Sequence, residues 1–167
     1  MPRTLKIVLA TIVACLVLPP IAGEAAKISE VGSWRLVSMI FVDEATGKTD
    51  QRFGEKPEGY LIFSPGGHMA VVINAAGRQP VASLGDQRVQ EQARLFSTMT
   101  AHAGTYTLTG PNLVHRVAVA HDPAMVGGDL LRHIEFSDND RMVSTTPAMT
   151  APDGTKYKVV LTWRRVE

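Results

Sequence analysis

Gly59-Tyr60-Leu61-Ile62-Phe63, then Ser64-Pro65-Gly66-Gly67, then His68-Met69-Ala70-Val71-Val72-Ile73-Asn74 is the stretch from which the fold can be read. Two β-rich runs flank a short Pro/Gly link, and such a link between such runs makes a hairpin. The arrangement recurs downstream. Thr105–Thr109 (TYTLT) and Leu113–Ala120 (LVHRVAVA) flank Gly110-Pro111-Asn112. Leu130–Phe136 (LLRHIEF) and Arg141–Thr146 flank Ser137-Asp138-Asn139-Asp140. Trp34–Val42 (WRLVSMIFV) opens the series and Tyr157–Val166 (YKVVLTWRRV) ends it.

One segment breaks the pattern. Between residues 86 and 101, Val89, Ala93, Phe96 and Thr100 fall at helical spacing, with Leu95 and Met99 widening the apolar face. Asp86 is a fair N-cap, and Gly104 lies just past the end. The reading is one inserted helix over about 86–101, its apolar face packed on the strands as a lid or plug. Hairpin links between so many short strands predict an all-β, up-and-down antiparallel β-barrel of 8–10 strands. Closure removes the exposed edges that a sheet would otherwise present.

Composition agrees with one such domain. The chain has 167 residues, 45% hydrophobic and 20% charged, enough for a single core. Lys+Arg is 17 against Asp+Glu 16, so no charge surplus draws the chain to nucleic acid or an anionic membrane. One cysteine excludes a disulfide within the chain.

The first residues read as an address. Arg3 and Lys6 precede Ile7–Leu18, a run without charge, and Pro19-Pro20 and small residues follow. This is the layout of a secretory signal peptide over 1–25, leaving a domain over 26–167 that is periplasmic or secreted. The run is too short for a transmembrane span. Ile12-Val13-Ala14-Cys15 also resembles a lipobox, which would anchor the chain through Cys15, but Leu16-Val17-Leu18 continues the apolar run past it.

A family resemblance follows from particular residues. Gly32-Ser33-Trp34 begins the first strand, and Trp163-Arg164-Arg165 closes the last. In lipocalins a Gly-x-Trp opens the first strand, and an Arg near the last packs over the indole at the closed end. Together with FGEKPEGYLIFSPGGHMAVVI, FSTMTAHAGTYTL and LVHRVAVAHDPAMVGGDLLRHIEF, the pattern resembles the bacterial and fungal lipocalin-like domain family over residues 30 to 167. The resemblance implies a small calycin-like barrel with a ligand-sized interior. It carries no single activity.

Strand alternation picks out polar residues on apolar faces. In one strand Leu113, His115, Val117, Val119 and His121 share a face. In another Leu130, Arg132, Ile134 and Phe136 do. His115 and Arg132 are therefore expected to face one cavity and to be ligand-binding, with Tyr60 and His68 as further members. A buried Arg needs an acceptor, which a bound anion can supply. The five histidines show no metal spacing, and neither a cofactor nor a catalytic residue is assigned. The expected partner is a small hydrophobic or amphipathic molecule held without catalysis. An isomerase or cyclase acting on a hydrophobic substrate, and a filled barrel serving as an envelope scaffold, are the competing readings. The oligomeric state is left open.

Overall fold

The structure, a computed structural model, describes residues 29–166. The segment read as a signal peptide over 1–25, with Cys15, lies outside the described residues. The elements in chain order are β1 (Gly32–Asp43), β2 (Thr49–Asp50), β3 (Glu58–Phe63), β4 (His68–Asn74), α1 (Gly85–Ser97), β5 (Met99–Thr109), β6 (Asn112–Ala120), β7 (Asp129–Asp138), β8 (Arg141–Thr145), β9 (Met149–Thr150) and β10 (Lys156–Arg165). A short 3-10 turn, Pro123–Met125, joins β6 to β7.

The strands form an antiparallel meander that closes on itself. β1 pairs with β3 on one side and β10 on the other, so eight strands make a ring. β2 and β9 are two-residue additions at one rim. The β3–β4 hairpin forms as read. Ser64 N–H donates to His68 O and Gly67 N–H to Ser64 O, and Gly67 takes a φ of 76° that a side chain would resist.

The register slips at three places, one of them on β7 between Phe136 and Asp138, and the other two decide which side chains face inward. β1 shifts register between Leu36 and Ser38, so Trp34 and Leu36 face inward and then Met39 and Phe41 do. Between β5 and β6 the register shifts after Ala103, leaving Ala118 unpaired. A Cβ on Gly104 would meet Arg116 O at 1.9 Å, so only glycine fits there. Gly104 is thus a strand residue at a close backbone approach, not the end of a helix.

This second bulge corrects the simple alternation. Leu113, His115 and Val117 face inward as expected, but Val119 is 63% exposed. The extra residue turns the end of β6 over. The helix also ends sooner than its periodicity implied, at Ser97, and Met99–Ala101 belong to β5. Pairing of Asn74 with Met99 and Ile73 with Thr100 claims those residues for the sheet. The helix is not a plug, since none of its residues is buried.

One end of the ring is sealed. Trp34 is fully buried, and the Arg165 guanidinium lies 4.2 Å from its ring centroid. That guanidinium also donates to Asn139 O, Val31 O and Ser29 O, which ties the start of β1 to the β7–β8 turn. Trp34 Nε1 donates to Glu30 O at 2.8 Å. Arg165 therefore plays the part that two arginines were candidates for.

Candidate functional site

A cavity of about 190 Å³ lies inside the barrel. Its wall is mostly aliphatic, thioether and aromatic, with Phe41, Leu61, Ile73 and Trp163 among the lining residues. The strand period puts them there, because each lies two residues from another inward side chain. Phe53 and Met149 extend the lining toward the rim where β2 and β9 sit.

The charged and titratable groups in this wall are His102, His115 and Arg132. No carboxylate of the described residues lines it. β6 and β7 bring two of them together by register. His115 stands opposite Leu130, and Leu113 stands opposite Arg132, so His115 and Arg132 are diagonal neighbours on one face. Both line the cavity, as alternation predicted.

His102 arrives from β5. Its Nε2 lies 3.4 Å from His115 Nδ1, with ring centroids 5.6 Å apart. Both rings are buried, and Phe63 packs 5.9 Å from His115, centroid to centroid. Burial pushes His115 down to about 3, assisted by the nearby charge of Arg132. His102 falls to about 4 for the same reasons in the same order. Both imidazoles are neutral at neutral pH. Burial also lowers the Arg132 guanidinium to about 10, so it keeps its charge.

Arg132 forms no salt bridge with any described carboxylate. Its NH1 donates to the adjacent Leu131 O at 2.7 Å. His102 Nδ1 and His115 Nε2 are buried without a hydrogen-bond partner. Deeper in the wall the polar groups satisfy one another. Trp163 Nε1 donates to Ser144 Oγ, and Thr146 Oγ1 accepts from Val159 N–H.

Tyr60 and His68 are not part of this site. Tyr60 is 50% exposed and His68 is also exposed. Leu61, Phe63 and Met69 take the inward places on β3 and β4, so their neighbours Tyr60 and His68 point out. Sequence reading missed His102, because a helix carried to residue 101 hid the start of β5. The signal was present: Thr100, His102, Gly104, Tyr106 and Leu108 alternate into the apolar strand that follows.

No group of three or more His, Cys, Asp or Glu among the described residues is arranged to hold a metal. No helix among the described residues is long and apolar enough to cross a membrane.

An antiparallel eight-stranded barrel with a sealed floor and a polar trio in an apolar lumen defines a calycin-type architecture. The chain matches the lipocalin-like domain over residues 31–166, and it belongs to that family. Among solved structures it is similar to a redesigned β-barrel at 15% identity and a TM-score of 0.39, over 82% of this chain and 91% of that one. No curated protein sequence matches it.

Proposed function

We propose that this protein is an exported carrier that holds a small, largely apolar molecule inside the barrel, its polar end set by Arg132 and His115. One observation carries the reading: in a mostly apolar cavity the one charged group, the Arg132 guanidinium beside two neutral imidazoles, meets no carboxylate of the described residues. Arg132 is half-buried and has no carboxylate partner, so an anionic ligand in the lumen gains a charge-assisted contact with it. Family membership supports small-molecule binding in general.

Binding is favoured over catalysis by the histidines. A general base works best with a pKa near the working pH, and His115 near 3 and His102 near 4 are weak bases. The cavity itself argues against a filled scaffold. Export rests on Arg3, Lys6 and the uncharged run Ile7–Leu18, which support a periplasmic or secreted location.

Native mass spectrometry of the protein purified from its own host tests the reading. A bound small molecule is expected. A protein that carries nothing and takes up no small apolar compound in a thermal-shift screen rules the carrier out. N-terminal sequencing of the same sample should begin near Ala26, and an intact Met1 would overturn export.

A further inference from the structure

We propose that the ligand is a small monocarboxylate of about one aromatic ring, whose carboxylate bridges the Arg132 guanidinium and the Nε2–H of His115, with His102 fixing the proton on that nitrogen. This rests on the carrier reading and names its ligand class.

Charge sets the class. Among the described residues the lumen holds one cation and no acid, so a cationic ligand is repelled and a neutral one leaves the guanidinium unpaired. A guanidinium offers five N–H donors in a planar fork, which suits a carboxylate. The only described side-chain hydrogen bond of Arg132 goes to Leu131 O, so donors are left for a ligand.

The histidine pair supplies a second donor through proton arithmetic. Each neutral imidazole has one N–H and one bare nitrogen. The 3.4 Å contact uses His102 Nε2 and His115 Nδ1, one as donor and one as acceptor. Two arrangements satisfy it. If His102 Nε2–H donates, His115 carries its proton on Nε2 and presents a donor. If His115 Nδ1–H donates, Nε2 is bare and would repel an anion. A carboxylate beside Arg132 selects the first arrangement, and His102 is then the positioning residue. His115 Nε2 has no partner in the free protein and is shut off from water, so a ligand oxygen meets an unmet donor once the ring gives slightly.

Volume sets the size. A dry protein cavity of about 150 Å³ accepts benzene. The lumen, at about 190 Å³, has room for one ring with a short polar substituent.

The test compares benzoate with benzyl alcohol, nearly equal in shape and different in charge, by calorimetric titration of the folded protein at pH 7. Benzoate is expected to bind at least tenfold more tightly. Arg132→Met should abolish that preference with its folded signal intact. Should Arg132→Met fail to fold, Arg132→Lys keeps the charge without the fork and should lower benzoate affinity several-fold. On adding benzoate, nitrogen NMR should show His115 Nε2 in the protonated form. His102→Leu should weaken benzoate several-fold, and His102→Gln, which keeps an amide donor toward His115, should restore it. Equal binding of the two probes, or a benzoate preference that survives loss of Arg132, overturns the carboxylate assignment and leaves the carrier reading standing. Failure of both probes to bind counts against the carrier reading itself.

Discussion

The two ends of the barrel are built on different terms. At the sealed end, Trp34 is fully buried, Phe136 packs 5.8 Å from it, and Arg165 covers the indole while binding three carbonyls. At the opposite rim, α1 buries no residue, and Val89 and Phe96 are 64% and 50% exposed. It is held mainly by Arg78, which donates to Leu95 O and Thr98 O, and by a tilted contact of Phe96 with His121, ring centroids 5.0 Å apart. Both ends carry apolar residues in a regular pattern. Only one uses them as core. An apolar stripe is therefore evidence of periodicity, and burial depends on whether another element is placed to cover it. The contrast also suits a container, with a rigid floor and a loosely attached rim.

The sharpest way to break this comparison is at the floor. Trp34→Ala should cost about 3–5 kcal/mol in chemical denaturation, as expected for truncating a large core aromatic. A loss below about 1 kcal/mol would place the floor on the same footing as the rim. Arg165→Met removes a cation from the indole and three charge-assisted hydrogen bonds, and about 2–3 kcal/mol is expected by the same measurement. Gly104→Ala sharpens the picture between the two ends. Its Cβ would fall 1.9 Å from Arg116 O, so the β5–β6 bulge must move, at a cost of about 1–3 kcal/mol.

Acid should act on the cavity wall. His102 and His115 take protons near 6.5 when unfolded, but in the folded protein only near 4 and 3. The unfolded chain thus binds more protons between those values. Stability should be full above about pH 6.5 and should fall steadily as the pH drops toward 3. A double variant, His102→Gln with His115→Gln, should lose most of that slope in denaturation series between pH 7 and pH 4. An unchanged slope would assign the acid sensitivity to other groups.

The smallest effect belongs to the rim. Phe96→Ala should change stability by less than about 1 kcal/mol, because the ring is half exposed and meets few neighbours. Hydrogen exchange should show the α1 amides opening well before those of β5. Protection of α1 equal to that of β5 would mean that the helix is covered after all and that the two ends are alike.

Much of the barrel and part of the site could be read in advance. The hairpins around Pro65-Gly66-Gly67 and Gly110-Pro111-Asn112 are legible because turn chemistry is local. His115 and Arg132 are legible because each sits two residues from apolar neighbours on a strand that keeps its register up to that point. Val119 was misread because the bulge opposite Gly104 is set by how β5 and β6 approach each other. Tyr60 and His68 were misplaced because short runs that are apolar on both faces give no clear phase. His102 was hidden because residues 99 to 101 fit a helical stripe as well as a strand.

The sequence by itself determined the strand-and-turn order, the antiparallel meander, and the placement of one histidine and one arginine on inward faces. These depend on interactions within a few residues. The tertiary structure alone decided where the register slips, that β5 takes Met99–Ala101 from the helix, that α1 stays uncovered, and that His102 meets His115 beside Arg132. Each of those is a contest between local preference and pairing with a distant strand. The strand wins where its backbone bonds and burial outweigh a few tenths of a kcal/mol of helix propensity per residue.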